Sequence, residues 1–160
     1  MSWSQVVAAL HVLVAFWFVA GLIGRGVALS RARRATDLTV VGELLHVAER
    51  FDRLMVIPGS AAVLALGLLT MWAQHRSPFE ADGWWLGVSL ILFLSLIPLV
   101  PLVFLPEGKK FEAAFEDAKA KGMVTPELAA AFANRKVAFA RNYELAVVGV
   151  VIVLMVTKPF

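Results

Sequence analysis

The sequence predicts an all-α fold: a bundle of four transmembrane helices with helical extensions on the cytoplasmic side. Three observations carry that prediction. The 160-residue chain is 60% hydrophobic and only 17% charged, with a mean hydropathy of +0.79. Soluble domains hold about 45–50% apolar and about 25% charged residues, and a fold this small leaves much of its surface wet. The excess calls for lipid. Uncharged runs of about 20 residues recur along the chain, the length a helix rising about 1.5 Å per residue needs to cross about 30 Å of hydrocarbon. The basic residues, finally, crowd into two of the connecting segments. No alternating apolar and polar pattern of the outer-membrane barrel type is present.

Span one, 5–24, carries no charge and a single histidine, His11. No basic residue precedes it and it exceeds a typical signal core, so it reads as a retained anchor. Thr36 or Asp37 can cap the next helix, and Val41, Leu44, Leu45, Ala48, Phe51, Leu54 and Met55 recur at helical spacing. That helix is expected to start near residue 38 and run unbroken into span two, 54–73. Span three, 83–106, is the longest uncharged run. Pro58-Gly59 in span two and Pro98, Pro101 and Pro106 in span three free backbone carbonyls and predict kinks. Below span three, Phe111, Ala114, Phe115 and Ala118 form an apolar stripe that ends at Gly122, a C′ glycine. Thr125-Pro126 is an N-cap followed by proline at the first helical position, from which a helix can continue into span four.

The uncharged part of span four, Leu145–Thr157, is only 13 residues long. Counting back about 20 residues from Thr157 puts its inner end near Ala138, which makes span four 138–157. Arg141, Asn142 and Glu144 then lie within the membrane register. Residues 1–160 thus read as one integral membrane domain, with no repeat or low-complexity tract.

Charge sets the direction. Arg25, Arg31, Arg33, Arg34, Arg50 and Arg53 lie between spans one and two, and Lys109, Lys110, Lys119, Lys121, Arg135, Lys136 and Arg141 between spans three and four. Those are thirteen of the 15 basic residues. The positive-inside rule places them in the cytoplasm, with both termini and the Gln74–Asp82 loop outside. Trp3, Trp72, Trp84 and Trp85 fall at the outer boundary, as an aromatic belt would. The net charge of +3 and pI near 9.6 are therefore a membrane-surface signature and not a nucleic-acid footprint, since the cations straddle spans and mix with acids. Zero cysteines exclude disulfide scaffolds, thiolate metal sites and cysteine nucleophiles. The expected partners are the lipid bilayer and further membrane subunits or copies of this chain. Ala20-x-x-x-Gly24, Ala61-x-x-x-Ala65 and Gly83-x-x-x-Gly87 offer close helix contact for either.

Candidate chemistry is sparse. No H-E-x-x-H, glycine-rich phosphate loop or G-x-S-x-G occurs, and no catalytic residue, metal or cofactor is expected. Arg25 at the end of span one, Glu49, Arg50, Asp52 and Arg53 before span two, and Arg141, Asn142 and Glu144 in span four fall at similar depth and can form a polar cluster near the inner leaflet. Ionisable groups there cost several kcal/mol unless paired. Interfacial anchoring is the favoured role of this cluster; a proton or anion site is the other. Arg141 and Glu144, three apart, can neutralise each other. His11 can hydrogen-bond a neighbouring helix, relay protons or ligate haem. His46 and His75 read as solvated.

Several segments together resemble DUF2269, a bacterial family of predicted integral membrane proteins. They are Leu10-His11-Val12, Ile57-Pro58-Gly59, Leu66-Gly67-Leu68, Trp84-Trp85-Leu86, Gly122…Thr125-Pro126-Glu127 and Leu154-Met155-Val156-Thr157-Lys158-Pro159. The likeness spans nearly the whole chain. It implies a four-span bacterial inner-membrane protein without an established activity. His11 followed by Phe18-Val19-Ala20-Gly21-Leu22 is also similar to the first span of the haem-binding membrane protoporphyrinogen oxidases. That similarity implies His11 as a haem b ligand, with Phe18 where those enzymes carry a tryptophan. The expected function is a non-enzymatic accessory subunit or small-solute carrier, with a haem-b redox protein as the alternative.

Overall fold

The computed structural model describes residues 2–78 and 83–158. Residues 79–82 of the predicted outer loop lie outside the described residues. Among the described residues all regular structure is helical: α1 (Trp3–Ala32), α2 (Leu38–Phe51), α3 (Ile57–Ala73), α4 (Trp84–Leu94), α5 (Leu105–Lys121), α6 (Pro126–Phe132) and α7 (Arg135–Thr157). Two π-helical turns, Asp52–Val56 and Val100–Phe104, join α2 to α3 and lead into α5. Three segments are long and apolar enough to cross a membrane: Trp3–Ala32, Leu38–Ala73 and Pro126–Thr157. Predicted span three, 83–106, is not a continuous helix: its regular part, α4, is a shorter apolar helix.

Its break follows from proline chemistry. Pro98 and Pro101 bring no N–H, so the helix ladder cannot pass through them. The chain tightens instead: the N–H groups of Leu96, Ile97, Leu99 and Val100 donate to carbonyls three residues back, at 3.1–3.2 Å. Pro58 and Pro106 are handled differently. Each lies two residues past a π-turn, in which the Ile57 N–H donates to the Asp52 carbonyl and the Leu105 N–H to the Val100 carbonyl. The wider turn gives room where a proline ring would press on the carbonyl four residues back. The kink expected at Pro58-Gly59 thus takes the form of a π-turn before it, and Leu38–Ala73 is continuous as the apolar spacing predicted.

The caps are largely those the residues announce. Asp37, rather than Thr36, caps α2: its Oδ1 accepts from the Thr39 N–H at 2.7 Å. Gly122 ends α5 at φ 66°, a left-handed conformation that glycine adopts without strain. Thr125 Oγ1 accepts from the Leu128 N–H at 3.3 Å, with Pro126 at the first helical position. The helix does not run smoothly from there into span four. Asn134 starts a new one, its Oδ1 accepting from the N–H groups of Lys136 and Val137.

The chain divides into two compact units. The first holds α1, the part of α2 from Glu43, the first π-turn and α3. Here α1 and α3 run antiparallel. Along α1, Val7, His11, Val14, Phe18, Gly21, Arg25, Ala28 and Ala32 recur at alternating four- and three-residue steps, and the apolar ends of that seam are buried. As the seam ascends, its partners descend: His11 meets Gly67, Phe18 meets Gly59 and Gly21 meets Met55. One turn further, Gly24 meets the ring of Phe51. Bulk on one helix faces glycine on the other, which brings the backbones close. The small-residue patches singled out in the sequence are used only in part: Gly24 is in the contact, but Ala20, Ala61 and Ala65 face outward.

The second unit comprises Arg33–Gly42 and the chain from Trp85 through α7. Its core pairs α5 with α6. The Phe111 and Phe132 rings meet edge-to-face at 4.9 Å, Ala118 and Leu128 are fully enclosed, and Phe115 lies over Gly42. Trp85 is buried, whereas Trp3, Trp72 and Trp84 are exposed.

Candidate functional site

The residues of the predicted polar cluster are shared between the two units, Arg25, Glu49, Arg50, Asp52 and Arg53 in the first and Arg141, Asn142 and Glu144 in the second. In the first unit the α1 seam carries Arg25, and the first π-turn presents Asp52 to it. Arg25 Nη1 donates to Asp52 Oδ1 at 2.9 Å, with side chains 12% and 38% exposed. Glu49 is not part of this pair; it accepts from Arg53 one helical turn away, on an exposed face beside His46. Such an exposed pair contributes little, about 0–1 kcal/mol, whereas a pair as enclosed as Arg25–Asp52 resists separation far more. Asp52 was legible as a charge near span two but not as the partner of Arg25. The signal lies in register: only the antiparallel meeting of Phe18 with Gly59 brings residue 25 opposite residue 52.

Also on this seam, the His11 imidazole lies against α3. The position of a Cβ on Gly67 would be 3.2 Å from His11 Cε1, and the Val63 backbone faces the ring. His11 Nδ1 is buried and has no hydrogen-bond partner among the described residues. His75 is exposed past the end of α3, as expected.

In the second unit, Ala140, Glu144, Val147 and Val148 form the buried stripe of α7. Glu144 is 8% exposed, Arg141 is part-exposed and Asn142 points outward. Next to Glu144, Tyr143 meets Ser95 at 2.8 Å across the broken end of α4. Ser95 Oγ donates its only proton to the Leu92 carbonyl at 2.6 Å, so the tyrosine hydroxyl is the donor between them. Ser89, one exposed part in a hundred, has a buried hydroxyl with no partner among the described residues. Neither the Ser95–Tyr143 bond nor Ser89 was singled out from sequence, because a serine in an apolar helix looks the same whether it faces lipid or protein.

At the foot of α7, Glu107 holds the cap. Its Oε2 accepts from Asn134 Nδ2 at 2.6 Å and its Oε1 from Lys110 at 2.8 Å. The hydrogen bond from Lys110, then that from Asn134, lower the Glu107 pKa below the ordinary carboxylate range. A carboxylate with a lowered folded pKa contributes stability that is complete above its unfolded pKa and is lost as pH falls through the folded value. Amide protection in the first turn of α7, taken relative to the intrinsic exchange rate at each pH, is therefore expected to be complete above the ordinary carboxylate range and to fall as the native protein is acidified below it. In Glu107→Gln that acid step should vanish, while a step of equal size in the variant would assign it to another group.

Among the described residues no group of three or more histidine, cysteine, aspartate or glutamate side chains is placed to hold a metal ion. Three helical segments long and apolar enough to cross a membrane mark the class, an integral membrane protein. The chain belongs to the DUF2269 family of predicted integral membrane proteins, whose model matches residues 5–159. Comparison with curated proteins and with solved structures gives no match.

Proposed function

We propose that this protein is a non-enzymatic subunit of the bacterial inner membrane, accessory or structural, that crosses the bilayer four times with both termini outside. The Arg25–Asp52 pair carries the reading: the most enclosed of the ion pairs described above is spent on joining two spans. The third crossing is a broken one, through α4, the tight turn and the second π-turn. Its support is that the backbone N–H groups from Ser95 to Val100 and of Leu102 find carbonyl partners wherever proline does not remove the donor. Hydrocarbon demands that. Since the chain has no cysteine, single cysteines report topology directly. A cysteine at Lys119 should resist a membrane-impermeant maleimide added outside, and one at Gln74 should react. The reverse pattern would overturn the orientation.

Two observations favour other roles. The orphan His11 Nδ1 keeps haem b as a second reading. Protein expressed with haem supplied should be colourless; a reduced-minus-oxidised b-type band that disappears in His11→Ala would replace the first reading by the second. The buried Glu144 is the feature a small-solute or proton carrier would use. Proteoliposome flux that depends on Glu144 would turn the accessory subunit into a carrier.

A further inference from the structure

Most cations in the charged helix α5 are neutralised locally. Lys110 pairs with Glu107, Lys119 with Glu116 and Lys121 with Asp117, all within one helical turn. The run Arg31-Ala32-Arg33-Arg34 at the exit of α1 differs. All three arginines are exposed, and none has an acidic partner among the described residues. The nearest carboxylate along the chain, Asp37, is engaged with the Thr39 N–H at the start of α2. Only Arg31 lies within the last turn of α1, where a cation complements the helix dipole; Arg33 and Arg34 lie past the helix end.

Depth identifies what the run meets. The uncharged stretch of α1 stops at Gly24, and Arg31 follows Arg25 by six residues, about 9 Å along the axis. The headgroup layer outside the hydrocarbon is about 5–8 Å thick on each side. A helical side chain slants back toward the helix N-terminus, so the long arginine stem returns the Arg31 guanidinium to the level of lipid phosphates, with Arg33 and Arg34 just outside it. Guanidinium is the planar fork that grips phosphate oxygens two at a time, which an ammonium cannot do. We propose that Arg31, Arg33 and Arg34 bind the phosphate of an anionic phospholipid at the end of the first span. This goes beyond the accessory role above and requires only that α1 is a membrane helix.

The test uses the full chain in nanodiscs of phosphatidylcholine, with or without phosphatidylglycerol, and reads the thermal midpoint. Phosphatidylglycerol is expected to raise the midpoint of the native protein by ~3 °C or more. R31K/R33K/R34K keeps the charge, and with it the topology signal, and should lose at least half of that shift. R31Q/R33Q/R34Q should lose nearly all of it, and Lys119→Gln, which removes a neutralised lysine, none. If the glutamine variant does not insert, the lysine variant decides. A full shift in either arginine variant overturns the site. So does an equal shift produced by inorganic phosphate added to phosphatidylcholine discs, which would make the ligand a soluble anion.

Discussion

Arg25→Leu is expected to destabilise the folded protein by about 2–3 kcal/mol, measured by denaturant unfolding in mixed micelles. Breaking a buried ion pair by removing one member costs about 3–5 kcal/mol, and an exposed pair is worth about 0–1 kcal/mol. Arg25 sits near the buried limit at 12% exposed, but Asp52 at 38% can turn toward water, which places the cost between the two. The diagnostic quantity is the coupling. Arg25→Leu and Asp52→Leu should each be costly, while the double variant should be more stable than their sum predicts by about 1 kcal/mol or more. That comparison isolates the pair from any other contact either residue makes. Costs that simply add would mean that the 2.9 Å contact does not hold α1 to the π-turn.

How far the sequence could be read depends on which forces leave a local trace. Membrane spans leave one, since about 20 uncharged residues in a row have few other uses. Caps also do: Thr125-Pro126 and Gly122 each act at their own position and were read correctly. The run from residue 38 through Ala73 was legible because apolar spacing survives a π-turn, which inserts only one residue into the ladder. Span three was legible as an apolar run with proline kinks, but an uncharged run says nothing of its backbone. The prolines that break it were visible, but whether a proline kinks a helix or ends it depends on which neighbouring carbonyls find donors. For the candidate site the sequence shows depth along each helix but not the angle around its axis. That angle separates Glu144, inside, from Asn142, outside, and gives Arg25 to Asp52 and Glu49 to Arg53. Pairwise register is a property of two helices, and a single helix carries only half of it.

That register also sets the second large expected effect. Gly21→Ala should cost about 1–3 kcal/mol, the range for overpacking a filled contact. An added Cβ would stand 2.6 Å from Met55 Cβ, closer than real carbon atoms approach. Met55 Cβ is fixed by its own backbone, so no rotamer change relieves the overlap, and α1 must move from the π-turn. The displacement acts one turn from Arg25 and should lengthen its bond to Asp52 as well. Gly24→Ala meets the Phe51 ring at 2.5 Å, but a ring can swing about its side-chain torsions, so that variant should lose less. Gly26→Ala has open space within 4 Å and should be neutral or slightly stabilising, because alanine orders less chain entropy than glycine in a helix. The three alanines change helix propensity alike and differ only in what they touch. The order of loss, Gly21 above Gly24 above Gly26, therefore measures the closeness of α1 to its partner. If Gly21→Ala unfolds at the same denaturant concentration as Gly26→Ala, the two helices are not in contact at that level, and the opposition of Arg25 to Asp52 fails with it.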